Sequence, residues 1–176
     1  LSAWGGATVN ANKLTVDALH ANESTAFGDR GADESYGIQV GTAIPGEDNN
    51  LSETSKVTVK DADITVTNTA NSTKGFLAPY QMSGIRVIRN ENNTGSNAIF
   101  ESTGKLKIDI KDSSTSGSGD YVTGIYISGE DNKVILNDSE ITLGKSGQYS
   151  SALKIGKGRN TGAGAGLIES QGNMVL

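Results

Sequence analysis

The stretch GIYISGEDNKVILNDSEITL, Gly124 to Leu143, holds three short alternating segments in twenty residues. Ile125 and Ile127 form the first, Val134 and Leu136 the second, Ile141 and Leu143 the third. Only turn residues separate them: Ser128-Gly129-Glu130-Asp131-Asn132 and Asn137-Asp138-Ser139. A period of two is the signature of a strand with one buried face. Strands this short cannot bury themselves in a hairpin sheet. They can do so if each stacks in register on the equivalent strand of the next winding.

The rest of the chain repeats the pattern. A glycine strand recurs as Gly37-Ile38-Gln39-Val40, Gly84-Ile85-Arg86-Val87 and Gly124-Ile125-Tyr126-Ile127, with Ala152-Leu153-Lys154-Ile155 as a variant. A second pattern reads KVTVKDADIT from Lys56 and KVILNDSEIT from Lys133, with weaker copies at Lys13 and Lys105. The two alternate along the chain. The connection between them shrinks from TAIPGEDNNLSETS to SGEDN while the flanking strands persist, which a solenoid tolerates. The sequence therefore predicts an all-β chain, a parallel β-helix with protruding loops. Inward positions carry Ile, Val and Leu, and outward ones Thr, Lys, Gln, Arg and Tyr. The narrow interior leaves little room for aromatics. The intervals predict six to eight windings, with NAIFES (Asn97 to Ser102) and GLIES (Gly166 to Ser170) as strands of the extra ones. Helical turns are expected only over Asp17–Glu23 and Phe76–Met82.

Composition fits this reading and narrows function. Of 176 residues, 35% are hydrophobic and 5% aromatic, low for a globule around one central core. The ordered alternation argues against disorder. A net charge of −5 disfavours nucleic acid and heparin-like polyanions, because phosphate neutralisation needs a basic face. The absence of Cys excludes disulfides, thiolate metal sites and a thiol nucleophile. No run of 18 apolar residues offers a membrane span.

The Gly-Ile-x-Val/Ile strands, Asx-rich corners, missing Cys, acidic charge and Thr/Ser-rich outer faces resemble the passenger domain of a Gram-negative autotransporter, a type V secreted adhesin of the AIDA, self-associating or pertactin-like kind. The resemblance covers most of the chain. It implies a right-handed helix displayed at the cell surface or secreted. The chain reads as a single domain over 1–176, the N-terminal part of a longer passenger that breaks off within a repeat, since the ending GNMVL opens a strand.

Several residues invite a chemical reading. Asp61/Asp63 and Asp138/Glu140 are carboxylate pairs at a spacing of two, as a glycan-active β-helix would need on one face. Their recurrence at each copy favours a solvated corner instead, because a catalytic site is normally unique. His20 has Asp17 and Ser24 near it in sequence, but triads are assembled by the fold and not by adjacency. One histidine cannot make a histidine-rich metal site. GEDNN (Gly46 to Asn50) and GEDNK (Gly129 to Lys133) carry oxygens that would suit calcium, without the spacing of a known calcium loop, and read as turns. Asn22, Asn71 and Asn137 are sequons that matter only in a eukaryotic host. The candidate interaction residues are Asp29, Asp33, Glu34, Glu47 and Asp48 in acidic loops, and Tyr126, outward on a glycine strand if Ile125 and Ile127 point inward.

The expected function is adhesion or self-association without catalysis or cofactor. The partner is a host surface protein or glycan, or another copy of the chain on a neighbouring cell. The alternatives are a polysaccharide lyase or hydrolase, and a structural stalk that spaces another domain.

Overall fold

A computed structural model describes residues 1–20, 35–41, 54–68, 81–89, 97–112, 121–144, 150–156 and 164–176. Among these the chain is all β, with no helix. The strands are β1 (Ser2–Ala3), β2 (Thr8–His20), β3 (Ser35–Val40), β4 (Ser55–Asn68), β5 (Gln81–Ile88), β6 (Ala98–Ser102), β7 (Lys105–Asp112), β8 (Tyr121–Ser128), β9 (Lys133–Leu136), β10 (Asp138–Leu143), β11 (Ser151–Ile155), β12 (Leu167–Ser170) and β13 (Met174–Val175). Every strand pairing among the described residues is parallel.

Two sheets result. The first runs β1-β3-β5-β8-β11; the second runs β12-β9-β6-β4-β7-β10-β13, with β2 also on β4. The chain alternates between the sheets. The opening segments Gly124 to Leu143 are β8, β9 and β10, and none of them pairs with another. The first sheet has five strands, so the described residues make five passes, fewer than the spacing predicts. The difference lies in NAIFES and GLIES. Both are strands, β6 and β12, but they are the first halves of passes that β7 and β13 complete. Strand β4 spans both halves, pairing with β6 from Ser55 and with β7 from Ala62.

Parallel register stacks like residues in columns. In the first sheet Ile38, Ile85, Ile125 and Leu153 are successive partners, as are Ala3, Val40, Val87, Ile127 and Ile155. In the second, Val16, Ile64, Ile108 and Ile141 form one column, and Val9, Val57, Phe100, Val134 and Ile168 another. These columns face a common apolar interior in which the middle passes are fully buried. A wholly buried Ile or Val contributes roughly 1.5–3 kcal/mol. Phe100, 0% exposed, is the one aromatic in the apolar cluster of the described residues, in keeping with an interior that has little room for rings. Its column neighbours Val57 and Val134 are smaller, and large beside small is how a packed core keeps its density.

The recurring glycine has a steric cause. A Cβ on Gly37, Gly84 or Gly124 would overlap Cγ2 of Ile64, Ile108 or Ile141 respectively, across the interior. It would also come within 2.6–2.8 Å of the carbonyl of the residue one pass later. Cα pairing is interrupted at these glycines, between Tyr36↔Ser83 and Ile38↔Ile85. A glycine ladder thus lies opposite an isoleucine ladder across the interior.

A helical turn does not form over Asp17–His20, which belong to β2, nor at Gln81 and Met82, which open β5. Val16 and Ala18 pair in register with Ile64 and Val66, and this alternation overrides local preference. The remainder of both expected turns lies outside the described residues.

Candidate interaction surface

Three polar arrangements arise from the stacking. The first is a corner in the second sheet. Asp61 Oδ1 accepts from the backbone N–H of Lys105 at 2.9 Å, and Asp138 Oδ1 accepts from that of Asn173 at 2.9 Å. Asn137 Nδ2 donates to Thr103 O at 3.3 Å. Each side chain at the bend bonds a main-chain group of an adjacent pass. Asp61 and Asp138, the leading members of the two carboxylate pairs, therefore brace the architecture. The sequon residue Asn137 does the same.

The second arrangement is the corner from the first sheet into the second. Asn132 is 0% exposed. Its Nδ2 donates to Ser128 O at 2.7 Å and its Oδ1 accepts from Ala98 N at 2.8 Å, while its carbonyl accepts from Leu167 N at 3.0 Å. One asparagine thus ties three passes. The GEDNK segment is a turn whose asparagine amide is committed to main chain, which leaves that amide no role in a calcium site. Ser55 acts similarly at an earlier corner, accepting from Gly6 N at 3.1 Å.

The third is the outer side of the sheets. On the second sheet Lys13, Asp61 and Lys105 follow one another, then Asp138, and beside them Asp63, Lys107 and Glu140. Charges alternate up the columns. Lys56 pairs with Glu101 at 2.7 Å and Lys105 lies 4.0 Å from Glu140. Pairs this exposed contribute at most about 1 kcal/mol each. Not every outward position is polar: Ile99, Ile135 and Leu167 also point away from the core, and Leu167 is 51% exposed.

On the first sheet the outward column reads Ser2, Gln39, Arg86, Tyr126, Lys154. Tyr126 does point away from the interior, but it is 2% exposed, so it offers no open platform. Its ring lies under Lys154 Nζ at 5.5 Å and its hydroxyl donates to Gly156 O at 3.4 Å. Arg86 stands 6.0 Å over the Tyr36 ring. Cations stacked on aromatic faces contribute to this column, and Tyr126 packs against its strand neighbours. From sequence, an outward tyrosine on this strand could either bind a partner or pack against its own neighbours, because alternation tells inside from outside and not whether the outside is covered; the structure shows the second.

Of the other candidates, Asp29, Asp33, Glu34, Glu47 and Asp48 lie outside the described residues, as does Ser24. His20 ends β2 in register with Asn68, and Asp17 is exposed on the same strand. Among the described residues no group of three His, Cys, Asp or Glu side chains is placed to hold a metal ion. No helix among the described residues is long and apolar enough to cross a membrane. Comparison with known protein families, with curated proteins and with solved structures finds no match.

Proposed function

We propose that the chain is a right-handed parallel β-helix that works as an adhesion or self-association module at a bacterial cell surface, in the manner of an autotransporter passenger. The observation that carries this reading is the recurring parallel register: among the described residues five passes stack in columns, and the outer face of the second sheet becomes a ladder of alternating charge. A rigid face that repeats the same groups suits multivalent contact, where each hydrogen bond or ion pair is weak and the number of simultaneous ones sets the strength. The partner is a host protein or glycan, or a second copy of the chain.

The glycan-cleaving alternative draws less support. It depends on Asp61 and Asp138, and both carboxylates are engaged with backbone N–H groups. The test is display of residues 1–176 on non-adherent bacteria. Aggregation or host-cell binding that weakens with salt is the expected result, since exposed charge contacts are screened. Settling and binding equal to an empty display control would sink the proposal.

A further inference from the structure

Independently of the adhesin reading, we propose that Arg89 is the cationic anchor of an oxyanion site at the corner between β5 and the Gly129–Asn132 turn. Arg89 follows β5 and is 6% exposed. Its Nε is buried without a hydrogen-bond partner, and among the described residues no ion pair or ring contact engages its guanidinium. Arg86, three residues earlier and comparably buried, shares the feature of a buried Nε with no hydrogen bond, but its guanidinium is engaged, standing over the Tyr36 ring. Arg89 therefore differs from the other buried cation of this segment. A guanidinium N–H buried without an acceptor is costly.

The corner is shaped around this side chain. Gly129 is buried with φ 110, and a Cβ there would stand 3.1 Å from Arg89 Cβ, 3.5 Å from Arg89 Nε and 2.8 Å from Asn132 Nδ2. Only glycine leaves both side chains in place. The Asn132 amide cannot answer the arginine, since it is bonded to Ser128 and Ala98. Glu130 and Asp131 follow Gly129 but are exposed, and neither pairs with Arg89.

A planar fork of N–H donors in a tight corner matches a carboxylate, sulfate or phosphate group. The small exposed edge limits the occupant to a compact oxyanion, and the flanking Glu130 and Asp131 repel an extended polyanion. Such a group is available as a free ion or as the acid of a sugar.

The test is thermal unfolding of the 176-residue chain in chloride, sulfate, phosphate and glucuronate at matched ionic strength, with glucose as the neutral control. Arg89→Met and Arg89→Gln are compared with the surface variant Lys56→Met. At ten times its Kd an oxyanion raises Tm by about 3–6 °C for a chain of this size. The expected result is a saturable rise in the parent chain and Lys56→Met, absent from the Arg89 variants, with Arg89→Met no less stable than the parent in chloride. Saturation by sulfate and phosphate identifies a free ion; tenfold tighter response to glucuronate identifies an acidic sugar. If Arg89→Met does not fold, Arg89→Gln decides. No saturable response in the parent chain, or an equal response in the Arg89 variants, overturns the proposal; the second result also exposes a general salting effect.

Discussion

Asp61 Oδ1 receives the backbone N–H of Lys105 at 2.9 Å across 44 positions of sequence, so one carboxylate fixes the height of the next pass at the bend. The side chain serves here as an acceptor for the main chain.

Replacement at this corner should therefore follow hydrogen-bond logic. Asp61→Asn keeps an acceptor oxygen and should change unfolding free energy by less than about 0.5 kcal/mol, whereas Asp61→Ala should lose about 1–2 kcal/mol. Urea unfolding of the two variants measures the difference. Equal effects would show that the bond contributes nothing.

Gly84→Ala should be costly out of proportion to one methyl group. The added carbon meets Ile108 on one side and the Gly124 carbonyl, 2.8 Å away, on the other. Overpacking of this kind costs about 1–3 kcal/mol. Pairing it with Ile108→Ala should recover part of the loss, because only the side-chain clash is relieved. A double-mutant cycle with no favourable coupling would contradict the opposed ladders.

Asn132→Leu should destabilise by about 2–5 kcal/mol, since it removes the acceptor of the buried Ala98 N–H and the bond to the Ser128 carbonyl. Hydrogen exchange should report the loss first in β6 and β9. Uniform loss of protection across all strands would show instead that the passes unfold as one unit.

Much of the fold is legible in the sequence. Ile38, Ile85 and Ile125 announce their shared column through the residues around them, and KVTVKDADIT and KVILNDSEIT occupy matching positions on the second sheet. The number of passes is not legible, because strand length does not reveal where a strand divides between neighbours: β4 runs on through Lys60 and Asp61, while the same span breaks at Gly104 and Asn137. The glycines stand out as a repeat but not as a clearance, since no local signal names the isoleucine on the opposite wall. Alternation places Tyr126 on the correct side of its strand, yet exposure depends on what lies beyond the strand. Asp61 and Asp138 read equally as a reacting pair or a solvated corner; their bonds to the following pass join residues too remote for spacing to expose. Arg89 carries no signal at all, because neither a motif nor a repeat contains it.

The absence of hairpins among the described strands bears on how the molecule forms. Register partners on successive passes lie from 28 residues apart, as Ile125 and Leu153, to 48, as Val9 and Val57. A nascent segment shorter than that has no partner to zip against, and every ladder begins with the entropic penalty of closing a long loop. Once two passes have joined, their free edge is a template that each later pass meets one at a time, so growth becomes directional and nucleation sets the clock.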